Sequence, residues 1–211
     1  MKIGILGSGE VGQQLGKGFV QLGHEVKLGT RHPEKLENWL KEVGGKSSID
    51  SFEDAAKFAE VAVIATRWIG TKEILDLAGK NNFNGKIVID VTNPLDFSTG
   101  MPGYLGSVGK SSGEQIQKWL PKAKVVKAFN TINNKMMCNP KMKEGDPDLF
   151  IAGNEEGKEF VTNIAKKWGW KSVIDLGDIS KSQMLEDLAM IWIEYGFKYN
   201  NRAHAFKLLK S

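Results

Sequence analysis

Three glycines in the order Gly7-Ser8-Gly9-Glu10-Val11-Gly12 follow the apolar run Ile3-Gly4-Ile5-Leu6 and open a helical pattern at Val11. These residue types at this spacing can hold the pyrophosphate of a dinucleotide. Gly7 permits a tight bend, Gly9 lets backbone approach phosphate, and Gly12 lets the helix pack on its strand. The helix start adds free N–H groups and a partial positive charge. About 20 residues past such a turn, a site for NAD wants an Asp or Glu to hold the ribose hydroxyls. Here the chain reads Gly29-Thr30-Arg31-His32-Pro33-Glu34-Lys35, with no carboxylate before Glu34. Thr30, Arg31 and Lys35 present a hydroxyl, a guanidinium and an ammonium, which suit the 2′-phosphate of NADP(H). The plainer alternative is that Arg31 and Lys35 are a solvated loop face.

The elements that must position these groups alternate between strand and helix patterns, the mark of a parallel sheet covered on both faces. Glu25-Val26-Lys27-Leu28 reads as the second strand. Val61-Ala62-Val63-Ile64-Ala65, Lys86-Ile87-Val88-Ile89-Asp90-Val91, Val125-Val126-Lys127-Ala128-Phe129, Leu149-Phe150-Ile151-Ala152 and Val173-Ile174-Asp175-Leu176 follow. Ser51 with Asp54 and Ser111 with Glu114 have capping-box spacing, and Asn154 is placed to cap a helix running through Trp168. The fold class is therefore α/β, a Rossmann-type doubly wound, mainly parallel sheet with a short C-terminal helical addition. One domain is expected over 1–211, with about 177–211 as its helical extension.

Ligands of such sheets sit outside the carboxyl ends of the strands, near the point where strand order reverses. That directs attention to Ala65, to Thr66-Arg67-Trp68, to Thr92-Asn93-Pro94-Leu95 and to Asn130-Thr131-Ile132-Asn133. Their hydroxyl and amide groups can bond ribose hydroxyls and a carboxamide, and Arg67 can meet an anion. Each Asn or Thr could equally be an ordinary turn residue. Residues 95–113, with five glycines and four serines, read as one long loop, and a loop of that length usually acts or moves.

Composition narrows the class. The chain has 211 residues, 41% hydrophobic and 26% charged, enough for a substantial core. Its net charge of +4 is spread without a basic stripe, which favours small anionic molecules over nucleic acid. No apolar run approaches a membrane span. A single cysteine, Cys138, cannot form an intramolecular disulfide, so a cytoplasmic protein is expected.

At these residues the chain resembles the NADP oxidoreductases of the coenzyme F420-dependent type. The likeness rests on Gly7 to Gly12, on Thr30-Arg31, on Asp90-Val91-Thr92-Asn93-Pro94-Leu95 and on Val126-Lys127-Ala128-Phe129-Asn130-Thr131, and it covers nearly the whole chain. It implies NADPH bound across the strand tails, with a flat acceptor against the nicotinamide: a deazaflavin (coenzyme F420), or FMN or FAD. By that likeness Ser8, Glu10 and Val11 give backbone contacts to the pyrophosphate, and Thr30 and Arg31 hold the 2′-phosphate. Asn93, Pro94 and Ala128 border the nicotinamide. The same module occurs in metalloreductases that pass electrons through a flavin to membrane haem, and nothing in this chain reads as their membrane part. Two stretches depart from the family: Thr66-Arg67-Trp68-Ile69-Gly70, and the loop carrying Phe97, Met101, Pro102 and Tyr104. Both lie where the acceptor should bind.

Hydride transfer to a flavin-like ring needs mainly alignment in a dry slot. Consistent with that, no catalytic acid–base constellation is evident, and His24, His32 and His204 lack metal-ligand spacing. The expected function is an NADPH-dependent oxidoreductase with a small-molecule redox acceptor. The alternatives are a non-catalytic NADP-binding redox sensor and a reductase of small carbonyl compounds. Met184, Leu185, Leu188, Ala189, Ile191, Trp192 and Ile193 place apolar side chains on more than one helix face, so this helix either joins a second subunit or is buried in its own domain. Tyr195, Phe197, Tyr199, His204 and Phe206 either close one end of the acceptor slot or pack structurally. Gly109-Lys110-Ser111 looks like the end of a P-loop, but Tyr104 stands where that motif needs glycine. Cys138, beside Met136 and Met137, reads as a packing thiol.

Overall fold

The apolar runs become strands with both faces covered. A computed structural model describes residues 1–100, 102–106 and 111–209. Its strands are β1 (Lys2–Leu6), β2 (Glu25–Gly29), β3 (Ser47–Asp50), β4 (Val61–Ile64), β5 (Ile87–Asp90), β6 (Leu95–Asp96), β7 (Gly103–Tyr104), β8 (Lys124–Lys127), β9 (Asp148–Gly153) and β10 (Ser172–Asp175). The helices are α1 (Glu10–Gln21), α2 (Glu37–Val43), α3 (Phe52–Phe58), α4 (Trp68–Ala78), α5 (Ser112–Trp119), α6 (Asn134–Met137), α7 (Glu155–Trp168) and α8 (Ser182–Lys198). Eight strands form one sheet in the order β10-β9-β8-β5-β4-β1-β2-β3. From β3 to β8 all neighbours are parallel. β9 is antiparallel to β8, and β10 runs parallel to β9. Strand order reverses between β1 and β4, so a ligand crevice is expected above that pair.

Side chains alternate across each strand, and here both sets are apolar. Ile3, Ile5, Val61 and Val63 join Leu15, Phe19, Trp39 and Trp168 on one face. Leu6, Ala62, Ile64 and Val88 join Ala55, Ala56, Leu75 and Phe83 on the other. Buried indoles keep their N–H groups bonded: Trp39 donates to the Gln13 carbonyl (3.0 Å), Trp168 to Gly18 (3.1 Å) and Trp170 to Met137 (2.9 Å). The expected caps form. Ser51 Oγ accepts from Asp54 N (3.0 Å), Ser111 Oγ from Glu114 N (3.2 Å) and Asn154 Oδ1 from Gly157 N (3.3 Å).

Two readings of local structure need correction. β3 has no long apolar run, and its half-buried Ser47 and Ser48 hide it in the sequence. The segment expected as one loop over 95–113 contains the antiparallel pair β6–β7, joined at Leu95↔Tyr104 and Asp96↔Gly103, and α5 begins at Ser112. Met101, Ser107, Gly109 and Lys110 lie outside the described residues, which takes most of the P-loop-like stretch with them. Cys138 packs against Gly18, and burial pushes its thiol up to about 12, as an inert packing group would be. Among the described residues no helix is long and apolar enough to cross a membrane.

Candidate active site

The three glycines do three different jobs. Gly7 has φ +116°, and a Cβ there would lie 2.3 Å from the Ala65 carbonyl oxygen, so the turn presses on the tail of β4. A Cβ on Gly12 would lie 2.1 Å from the Gly7 carbonyl oxygen, so α1 sits directly on the turn. Gly9 has nothing within 4 Å of its Cβ position. The space over Gly9 is open on the cleft side, as a cradle for phosphate must be. No side chain caps α1, which leaves its first-turn N–H groups for an anionic ligand. Gln13 Nε2 donates to the Ser8 carbonyl (2.8 Å) and steadies the turn.

A cleft of about 660 Å³ opens from this turn, lined by Gly7, Ser8, Gly9, Thr30, Arg31, His32, Ala65, Thr66 and Arg67 on the strand side. Ile69, Gly70 and the β6 residues Leu95 and Asp96, with Phe97 and Ser98, close it opposite. Ser8 Oγ and Thr30 Oγ1 are hydrogen-bonded (2.8 Å), and His32 N donates to Thr30 Oγ1 (3.0 Å). The hydroxyl is thereby fixed in the wall that Arg31 also lines. Arg31 Nη1 pairs with Glu73 Oε1 of α4 at 3.1 Å, and both side chains are exposed.

A second cavity of about 420 Å³ adjoins the first, and Phe97 lines both. Glu10, Val11, Asn93, Phe129, Asn130, Ile132, Asn133, Asn134 and Met137 form its walls, with Pro102, Trp192, Ile193, Gly196, Phe197 and Arg202. Asn93 and Asn130 lock together at its base: Asn93 Nδ2 donates to the Asn130 carbonyl (2.9 Å), and Asn130 Nδ2 to Asn93 Oδ1 (3.0 Å) and the Leu185 carbonyl (3.0 Å). A carbonyl only accepts, so the atom facing Leu185 is the NH₂ of Asn130. Asn130 Oδ1 is then buried with no hydrogen-bond partner. An orphan acceptor of this kind costs about 1–3 kcal/mol unless a ligand donor reaches it, and a carboxamide NH₂ would. Preceding it, Phe129 has φ +61°, a strained conformation for an aromatic residue.

Beneath the two tails lies a charged cluster that the sequence reading did not anticipate. Lys127, Asp90 and Glu186 have fully buried side chains, with Lys127 Nζ 2.8 Å from Asp90 Oδ2 and 3.0 Å from Glu186 Oε1. Lys127 Nζ also donates to the Thr92 carbonyl and to Ser112 Oγ. Glu186 accepts from Ser112 N (3.1 Å), Gly113 N (3.2 Å) and Ser112 Oγ (2.6 Å), all at the start of α5. Burial alone would push the Lys127 ammonium down, but the Asp90 and Glu186 carboxylates outweigh it and hold it above its ordinary range. The signal was available: Asp90 and Lys127 interrupt apolar strands and are register partners.

The structure therefore brings Gly7, Ser8, Gly9, Thr30, Arg31, Ala65, Thr66 and Arg67 to one cleft and Glu10, Val11, Asn93 and Asn130 to the next. Gly12, Pro94 and Ala128 are buried below the cavity walls. Lys35 is exposed, sits in the turn Pro33–Leu36 and lines neither cavity. Trp68 stacks on Trp119 at 5.4 Å and serves packing. Of Tyr195, Phe197, Tyr199, His204 and Phe206, only Phe197 lines the slot; Tyr195, His204 and Phe206 border a separate cavity of about 710 Å³.

A doubly wound sheet with a glycine turn at its switch point and a basic hydroxyl-bearing tip on β2 defines a dinucleotide-binding fold. Residues 2–94 match the family described as NADP oxidoreductase coenzyme F420-dependent. The chain is 28% identical to the F420-dependent NADP reductase of Methanocaldococcus jannaschii, over 99% of this chain and 98% of that protein. It is 26% identical to the metalloreductase STEAP3 of Rattus norvegicus, over 90% of this chain and 36% of that protein. The crystal structure of a candidate F420-dependent NADP reductase from Arthrobacter sp. FB24 superposes with TM-score 0.93 at 39% identity, covering 100% of both chains. The chain belongs to the F420-dependent NADP oxidoreductase family, and with it to the NADP-dependent oxidoreductases.

Proposed function

We propose that the protein transfers hydride between NADP(H) and a flat flavin or deazaflavin acceptor. The observation that carries this reading is the make-up of the slot beside Asn93 and Asn130. Its described walls are amide, aliphatic and aromatic groups with Arg202 and, at the glycine turn, Glu10, and no His, Lys, Tyr or Cys is among them. Reduction of a carbonyl compound wants a proton donor at the reacting atom, whereas exchange between two redox rings wants alignment and exclusion of water. Bound NADPH supplies the hydride. Gly9 and the start of α1 take the pyrophosphate, and Thr30 and Arg31 take the 2′-phosphate. The Asn93–Asn130 pair receives the carboxamide, and Phe97, Phe129 and Trp192 wall the acceptor. The 28% identical relative is named for both NADP and coenzyme F420, which supports the deazaflavin.

Anaerobic mixing of the protein and NADPH with coenzyme F420, FMN, FAD and riboflavin tests the proposal. NADPH absorbance should decay with at least one of them. No decay with any removes the flavin-type acceptor.

A further inference from the structure

Among the described residues one cation borders the slot without a partner. Arg202 follows α8, and the backbone on both sides of it is fixed. Asn201 N donates to the Gly196 carbonyl and Asn201 Oδ1 accepts from Ala203 N (2.8 Å). The His204 ring stacks on Trp192 at 4.6 Å. Trp192 Nε1 donates to the His204 carbonyl (2.8 Å), and His204 Nε2 donates to the Trp192 carbonyl (2.9 Å). Gly196 permits this turn, since a Cβ there would lie 3.2 Å from the Asn201 carbonyl oxygen and 3.3 Å from His204 Cε1. Arg202 is thus carried on an anchored turn.

Among the described residues the Arg202 side chain has no ion pair and no hydrogen bond. It lines the slot while remaining solvent-exposed, which places it at the mouth. The only acidic residue of the described lining is Glu10, at the glycine turn, where Asn134 Nδ2 donates to it (3.3 Å). Arg202 therefore has room for a ligand anion. A guanidinium at the rim of an aromatic slot can fork onto a phosphate or carboxylate while the ring system lies inside.

We infer that Arg202 recognises an anionic group on the acceptor, a phosphate or carboxylate carried on a substituent that leaves the slot. This rests on the reading of the slot as the acceptor site, and it names the residue that tells an anionic tail from a neutral one. Riboflavin and FMN share one ring and differ by a phosphate. Their binding to the NADP⁺-saturated protein is read by flavin fluorescence anisotropy at low salt, which needs no turnover. The wild type should bind FMN about tenfold more tightly than riboflavin. Arg202→Gln should bring that ratio close to unity, and Arg202→Lys should keep part of it. Lys198→Gln, which removes an equal charge outside the slot, should keep the wild-type ratio. A flavin ending in a carboxylate should also exceed riboflavin, and its order relative to FMN identifies the preferred anion. Equal binding of FMN and riboflavin by the wild type, retention of the preference in Arg202→Gln, or an equal loss in Lys198→Gln overturns the inference. Failure of both flavins to bind overturns it, and the acceptor reading falls with it only if NADPH also fails to decay with coenzyme F420. Turnover of riboflavin without preference for the charged flavins removes it alone.

Discussion

Gly9 and Gly12 lie three positions apart, yet their substitution should fail in opposite ways. Gly9→Ala meets no protein atom, so thermal stability should stay near that of the wild type while NADPH affinity falls at least tenfold in a titration. Gly12→Ala drives a methyl into the Gly7 carbonyl, and should cost about 1–3 kcal/mol in urea unfolding. At the other end of the cofactor, Arg31→Ala should weaken NADPH far more than NADH, by about 1–3 kcal/mol. Equal losses for the two nucleotides would remove Arg31 from the 2′-phosphate. Because Arg31 pairs with Glu73, the incoming phosphate must displace a carboxylate. Exposed pairs of this kind are worth about 0.2–1 kcal/mol, so Glu73→Gln should tighten NADPH up to about fivefold. Residues at this scale were legible where backbone chemistry dictates the type: glycines at a forced turn, and a hydroxyl and a guanidinium where an acid is missing. Lys35 lines neither cavity, because a turn decides which way a side chain leaves, and spacing does not report that. Arg202 was silent because only the folding back of the chain after α8 gives it a site.

Among the elements, the parallel strands were readable from near-continuous apolar runs, since both faces of the sheet are buried. β3 and the β6–β7 pair were not, being short, polar and held by pairing. The junction of β5, β8, α5 and α8 escaped for a different reason: its charges are spread along the sequence and meet only after folding. Lys127→Met would leave Asp90 and Glu186 buried without a cation, and should cost about 3–5 kcal/mol in chemical denaturation. The pH dependence follows from the raised Lys127 pKa. A group held above its unfolded value gives its full stabilisation below the ordinary lysine value of 10.5, and that contribution is lost as pH climbs past it. Wild-type melting temperature should therefore fall as pH rises above 10.5, and Lys127→Met should show a shallower fall; parallel curves would exclude Lys127 as the titrating group.

The whole molecule presents an apolar face to solvent. Met184, Ile191 and Tyr195 recur along one side of α8 and are 58%, 60% and 45% exposed. We propose that a second copy covers this face. Sedimentation should then show a dimer that Ile191→Glu converts to a monomer, and a wild-type monomer at high concentration would dismiss it. The helix pattern left this open, because an amphipathic stripe does not say whose surface it meets. One feature of the interior reaches furthest. Positions 90, 127 and 186 carry one positive and two negative groups whose side chains are wholly buried, so drift at any one of them is penalised unless the others follow. Homologous chains should vary at these three positions together, a lineage with an apolar residue at 127 having lost its acids at 90 and 186 as well.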